Sequence, residues 1–138
     1  NTFLLIFLPF WGKLFDKVNF ITLRICLNIL FASGIALFFA TKDPIIISMG
    51  SALIGIAFSG GSIAWNLWVT KFAPPGKATA YMSVHVFLTG VRGTIGPMLG
   101  FWTAGKVGPR AIGFISAGMM VIATLMLIPE INRGKVRK

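Results

Sequence analysis

Acid is the scarcest chemistry in this chain. Asp16, Asp43 and Glu130 are its three carboxylates, and each stands at the end of an apolar run. With the three so dispersed, paired-carboxylate catalysis is excluded. The one histidine, His85, and the one cysteine, Cys26, lie far apart in the sequence. That leaves no internal disulfide, no multi-cysteine metal site and no nucleophile–base–acid set. There is no Walker-type phosphate loop either. An enzyme is not expected, and neither is a cofactor or a metal.

Charge of either sign is also thin. Charged residues make up 12% of the 138 and hydrophobic ones 56%, where soluble domains carry about 25% charged residues. A net charge of +10 would suggest nucleic acid for a soluble protein. Here the basic residues sit almost entirely in the gaps between apolar runs, so no nucleic-acid partner is expected. The partner is the lipid bilayer.

Those runs are Phe20–Ala40, Ile45–Thr70, Tyr81–Ala104 and Ala111–Pro129, each of about the length that crosses a hydrocarbon core. Phe3–Trp11 is too short to span. It reads as the end of a further span closing near Pro9, followed by a charged turn. The expectation is an all-α integral membrane protein with four full transmembrane helices, about 20–40, 45–70, 80–104 and 111–129, plus a partial span over 1–11. The start at Asn1 and the truncated first run fit a fragment of a longer chain. No basic stretch precedes that run, so a signal peptide is not expected. Asn19 is a candidate cap for the next helix.

Two spans carry polar patterns. In Ile45–Thr70, Ser48, Ser51, Gly55, Ser59, Ser62, Asn66 and Thr70 recur at steps of three and four, which draws one continuous stripe along a helix. Such a stripe is either a small-residue packing seam or the wall of a water-filled path. Ser59, Ser62, Asn66 and Thr70 are its candidate cavity-lining residues. Trp65 and Trp68 suit interfacial anchoring and substrate stacking equally well.

Tyr81–Ala104 is the stranger helix. His85, Thr89, Arg92 and Gly96 share a face, continued by Gly90, Gly93, Pro97 and Gly100, while the other face is apolar. Arg92 stands near the middle, where insertion costs about 2.5–3.5 kcal/mol or more, so it should face inward with a partner. His85 is seven residues from Arg92, a rise of about 10 Å, so direct contact between them is not the default. His85 suits a packed neutral imidazole or a coupling residue. Gly96 and Gly100 have the spacing of close helix packing, and Pro97 should kink the helix. In the neighbouring spans, Asn28 suits a helix–helix hydrogen bond, and Arg24 lies near enough to a helix start to snorkel.

At two places the residues resemble a known family. Gly12-Lys13-Leu14-Phe15-Asp16-Lys17 resembles the G-x-L-x-D-R/K loop signature of the major facilitator superfamily. Asn19 stands there in place of a glycine, and Phe20 and Ile21 in place of basic residues. Gly96-Pro97-Met98-Leu99-Gly100 resembles the core of that family's proline–glycine helix motif, with Arg92 where a leading glycine is usual. The resemblance covers the whole chain as a partial C-terminal transmembrane domain, residues 1–138, from the end of helix eight through helix twelve. It implies a secondary transporter moving a small solute by alternating access, with H+ or Na+ as candidate coupling ions. It also implies an N-terminal part of the same transporter outside this chain. The helix matching Ile45–Thr70 would line the cavity, Tyr81–Ala104 would lie between the halves, and the other two full spans would be peripheral. The alternative is a non-transporting membrane subunit that docks through its glycine and Arg92 face.

If the spans alternate, Lys13, Lys17, Arg24, Lys71, Lys77, Arg133, Lys135, Arg137 and Lys138 share one side, and Lys42, Lys106 and Arg110 the other. The positive-inside bias then places the C-terminus in the cytoplasm of a multi-pass protein in the cell (plasma or inner) membrane. In a Cys26→Ser background, Lys106→Cys should label with an impermeant thiol reagent on intact cells and Lys77→Cys should not. The reverse pattern would overturn the orientation.

Overall fold

The computed structural model describes residues 2–131. Among these it holds five α-helices and a closing 3-10 turn, with no strand. The helices are α1 (Thr2–Lys17), α2 (Phe20–Ala40), α3 (Pro44–Phe72), α4 (Ala78–Val107) and α5 (Pro109–Leu127), and the turn is Ile128–Glu130. α2, α3, and α5 with its 3-10 extension are long and apolar enough to cross a membrane. α4 has 30 residues but is not among them, because Arg92, His85 and its glycines dilute its apolar content. By length and composition, three of the four expected full spans qualify.

Local chemistry explains the breaks. The Asn19 side chain accepts from the Ile21 N–H at 2.9 Å, capping α2, and its amide donates to the Ile131 carbonyl at 2.7 Å. Asp43 accepts from the Ile45 N–H at 2.9 Å, with Pro44 in the first turn of α3. Between α4 and α5 stands Gly108 alone, at φ +85°, a left-handed backbone that glycine tolerates best. Pro109 then opens α5.

The first helix corrects the sequence reading. It does not end near Pro9 but runs on to Lys17, leaving only Val18 and Asn19 before α2. Gly12, Leu14, Asp16 and Lys17, expected in a loop, are the last turns of α1. Tertiary burial is the reason. Trp11 and Phe15, one turn apart, are 3% and 4% exposed in a cluster with Leu23, Leu27 and Ala64. The Trp11 indole N–H donates to the Ile56 carbonyl at 3.0 Å. Lys71 donates to the Phe15 carbonyl near the end of α1, its Nζ lying 4.3 Å from the centre of the Phe15 ring. A cation there suits a helix C-terminus.

α2 and α3 meet along a glycine seam. A Cβ on Gly50 would stand 2.7 Å from the Phe38 backbone nitrogen and 2.8 Å from the Gly34 carbonyl oxygen. From Gly50 the buried side of α3 runs through Ala57 to Ala64, with Ile54 packed on Gly34 and Gly61 beside Phe31. α5 closes on the far side of α2, where Gly113 admits the Phe39 ring, and Arg110 Nη2 donates to the Ala40 carbonyl at 2.6 Å.

These contacts fix which ends lie together. Phe15, Asn19, Lys71 and Ile131 meet at one end of the bundle, Ala40 and Arg110 at the other. Lys13, Lys17, Arg24, Lys71 and Lys77 therefore lie toward one end, and Lys42, Lys106 and Arg110 toward the other. The tail residues Arg133, Lys135, Arg137 and Lys138 fall outside the described residues. α4 is the exception to close packing: none of its residues is buried, and a Cβ on Gly90, Gly93, Gly96 or Gly100 would meet nothing within 4 Å.

The two glycine classes should respond differently to a methyl group. Gly50→Ala forces backbone apart and should cost about 1–3 kcal/mol of stability. Gly118→Ala on α5, where a Cβ also meets nothing within 4 Å, should be neutral or gain up to about 1 kcal/mol from helix propensity. Thermal unfolding in detergent measures both, and equal effects would contradict the seam.

Candidate solute-binding site

Trp65 and Trp68 are three residues apart on α3 and so project to the same side of the helix. The His85 ring of α4 packs against both, with centroids 4.9 Å from Trp65 and 5.3 Å from Trp68. Arg92 lies two turns further along α4, yet its Cζ sits 4.3 Å from the Trp65 centroid. Side chains on a helix lean toward its N-terminus, so a long one reaches back to the level of an earlier turn. Trp65 thus meets both His85 and Arg92. On α2, Arg24 approaches the same indole, Cζ to centroid 5.9 Å.

Behind these rings lies an open cavity of about 510 Å³ between α2, α3, α4 and α5. Phe20, Arg24 and Asn28 line it from α2, Trp65 and Trp68 from α3, His85 from α4, and Met120 and Met126 from α5. Its polar groups are few and its walls mainly apolar, the ordinary character of a small-molecule site. Cations over indole gain about 0.5–1 kcal/mol when exposed and about 2 when desolvated. That attraction holds two like charges on one ring, since among the described residues no carboxylate pairs with Arg24 or Arg92. His85 Nε2 is buried with no hydrogen-bond partner.

The family model of the Major Facilitator Superfamily matches residues 2–138. The chain belongs to that superfamily. Its members are membrane transporters rather than enzymes, and this one is an integral, multi-pass membrane protein by its family and its apolar helices. No individual curated protein and no solved structure matches it.

Within this superfamily member the cavity is lined by His85 but not by the serine stripe, and Arg92 lies at its edge on Trp65. The stripe lies about half a turn round α3 from Gly50, Ala57 and Ala64, and the helix turns that opposite, seam side to α2. Asn66 and Thr70 are exposed and Ser62 half-buried. Asn66 and Thr70 bond back to the Ser62 and Leu67 carbonyls at 2.9 and 2.6 Å. Ser59 alone is packed away, at 0% exposure. So the stripe is not the seam of α3 with α2. Among the described residues a Cβ on Gly96 or Gly100 would meet nothing within 4 Å, Pro97 is exposed, and α4 runs unbroken through it. Sequence reasoning left Arg24 and Asn28 outside the site, although their spacing of four marks one face of α2.

The stripe can be probed chemically. Ser62→Cys and Asn66→Cys should react readily with a small hydrophilic thiol reagent. Ser59→Cys, Ala57→Cys and Ala64→Cys should react about ten-fold more slowly or less, because thiol reactivity follows exposure. Uniform rates around α3 would contradict this placement.

Proposed function

We propose that the chain is the C-terminal part of a secondary active transporter that moves a small solute by alternating access, with H+ or Na+ as candidate driver. The observation that carries this is the contrast between a packed bundle and a loosely held helix. α1, α2 and α3 share a buried core and α5 packs on α2 where Gly113 meets Phe39, whereas α4 buries no residue and meets α3 through His85 and Arg92 on the tryptophans. A helix that buries no residue against its neighbours can shift at small cost, and alternating access requires such relative movement.

In this proposal α4 also crosses, which makes four full spans, and α1 is the end of another. The glycine face of α4, with Gly96, Pro97 and Gly100, receives helices of the same transporter that lie outside this chain. Ser62, Asn66 and Thr70 line the path beside them, His85 serves coupling, and the C-terminus is cytoplasmic in the cell membrane. The same uncovered glycine face also favours the alternative of a non-transporting subunit docking a partner, and solute flux separates the two.

Cells carrying the full-length protein should accumulate at least one solute from a labelled panel, driven by a proton or sodium gradient. Arg92→Ala should abolish that uptake with membrane abundance and monodispersity unchanged. Arg92→Lys should impair it, because ammonium lacks the planar donor fork. Wild-type flux with alanine at this position would refute the role, and no gradient-driven flux of any solute would favour the subunit.

A further inference from the structure

The cavity beside Trp65 is lined by one guanidinium, that of Arg24, with a second, that of Arg92, on the same indole at its edge. Among the described residues no carboxylate pairs with either. Arg24 and Arg92 both lie against that indole, so their Cζ atoms stand no more than roughly 10 Å apart, the sum of the two ring distances. The three acids stand at or near helix ends, and among the described residues none pairs with either guanidinium. Arg24 is part-buried, and Arg92 stands 14 residues into α4, about 21 Å from its start. An ionic group at such depth needs a partner, and a tryptophan face is only a partial one. Next to them, His85 keeps a buried ring nitrogen with no hydrogen-bond partner.

We infer that this cavity binds an organic anion whose acidic group sits with Arg24 and Arg92 and whose apolar body fills the aromatic and methionine-lined space. A carboxylate or phosphate supplies the missing charge and suits guanidinium forks, which bind such groups bidentately. The anion is organic because a volume of about 510 Å³ with mainly apolar walls would be left largely empty by an inorganic ion. The His85 nitrogen offers one further hydrogen bond. Two sources carry this chemistry, a dissolved organic acid and the headgroup of an acidic lipid. The inference names the solute class for the transport proposal and rests on it only for passage across the membrane.

Equilibrium binding tests it without flux, so its failure is separate from failure of transport. The full-length protein is placed in phosphatidylcholine nanodiscs and titrated with radiolabelled naphthoate, with naphthamide as the neutral counterpart. The carboxylate should bind saturably and about ten-fold or more tighter than the amide. Arg24→Gln and Arg92→Gln should each weaken it by about ten-fold or more, and Arg92→Lys should recover part of the loss. Lys106→Gln, a charge loss toward the far end of α4, should leave binding unchanged, with helix content confirming the fold of every variant. Competition by phosphatidylglycerol added to the discs would support the site and identify its occupant as lipid; its absence would support a dissolved anion. Equal binding of acid and amide, no saturable binding, or wild-type binding in both glutamine variants would overturn the inference.

Discussion

The backbone contact of α2 with α3 at Gly34 and Gly50 sets the rest of the bundle. In a bilayer there is no hydrophobic drive to bring two apolar helices together, so association depends on close packing and hydrogen bonds. Glycine supplies the first by removing side chains from the crossing, and a Cβ on Gly50 would collide with two backbone atoms. Once that crossing is made, the rotation of α3 is no longer free. Its Gly50–Ala57–Ala64 side is committed to the seam, Ile56 and Gly60 meet α1 through Trp11, and Trp65 and Trp68 fall toward α4 and α5. The polar stripe is left on the remaining side.

Around this seam the polar groups are handled in two ways. At the helix ends, side chains close open backbone groups: Asn19 ties the start of α2 to Ile131, Lys71 reaches the Phe15 carbonyl, and Arg110 reaches the Ala40 carbonyl. Each places a donor on a carbonyl that water or the helix itself would otherwise have to satisfy. Around Trp65, Arg24, Arg92 and His85 lie against an indole ring instead. A ring quadrupole attracts a cation but does not neutralise it. That imbalance is why the cavity, and not the serine stripe, is the site with unmet chemistry.

Some of this was legible in the sequence and some was not. The hydropathy runs marked α2, α3 and α5, and Asn19 marked the cap of α2, because hydropathy and capping are local. The extent of α1 was not legible. Pro9 and a charged, glycine-containing stretch look like an ending, and only the burial of Trp11 and Phe15 against α3 carries the helix on to Lys17. Arg92 was visible as a deep charge in need of a partner, and among the described residues the side chain it meets is the Trp65 ring of another helix. Arg24 and Asn28 read as a snorkelling cation and a lone amide until α5 and α3 enclosed them.

The sequence by itself determined the solvent: 56% hydrophobic residues in long runs, with charges held between them, leave a membrane as the only setting in which these helices are stable. It also determined the family, since the pattern across residues 2–138 is that of the Major Facilitator Superfamily. Tertiary structure alone decided which face of each helix turns inward. Periodicity sorts residues into faces but carries no information about which face meets a neighbour. That choice was made where backbones could approach, at Gly34 and Gly50, and it brought Arg24, Trp65, His85 and Arg92 together from three separate helices.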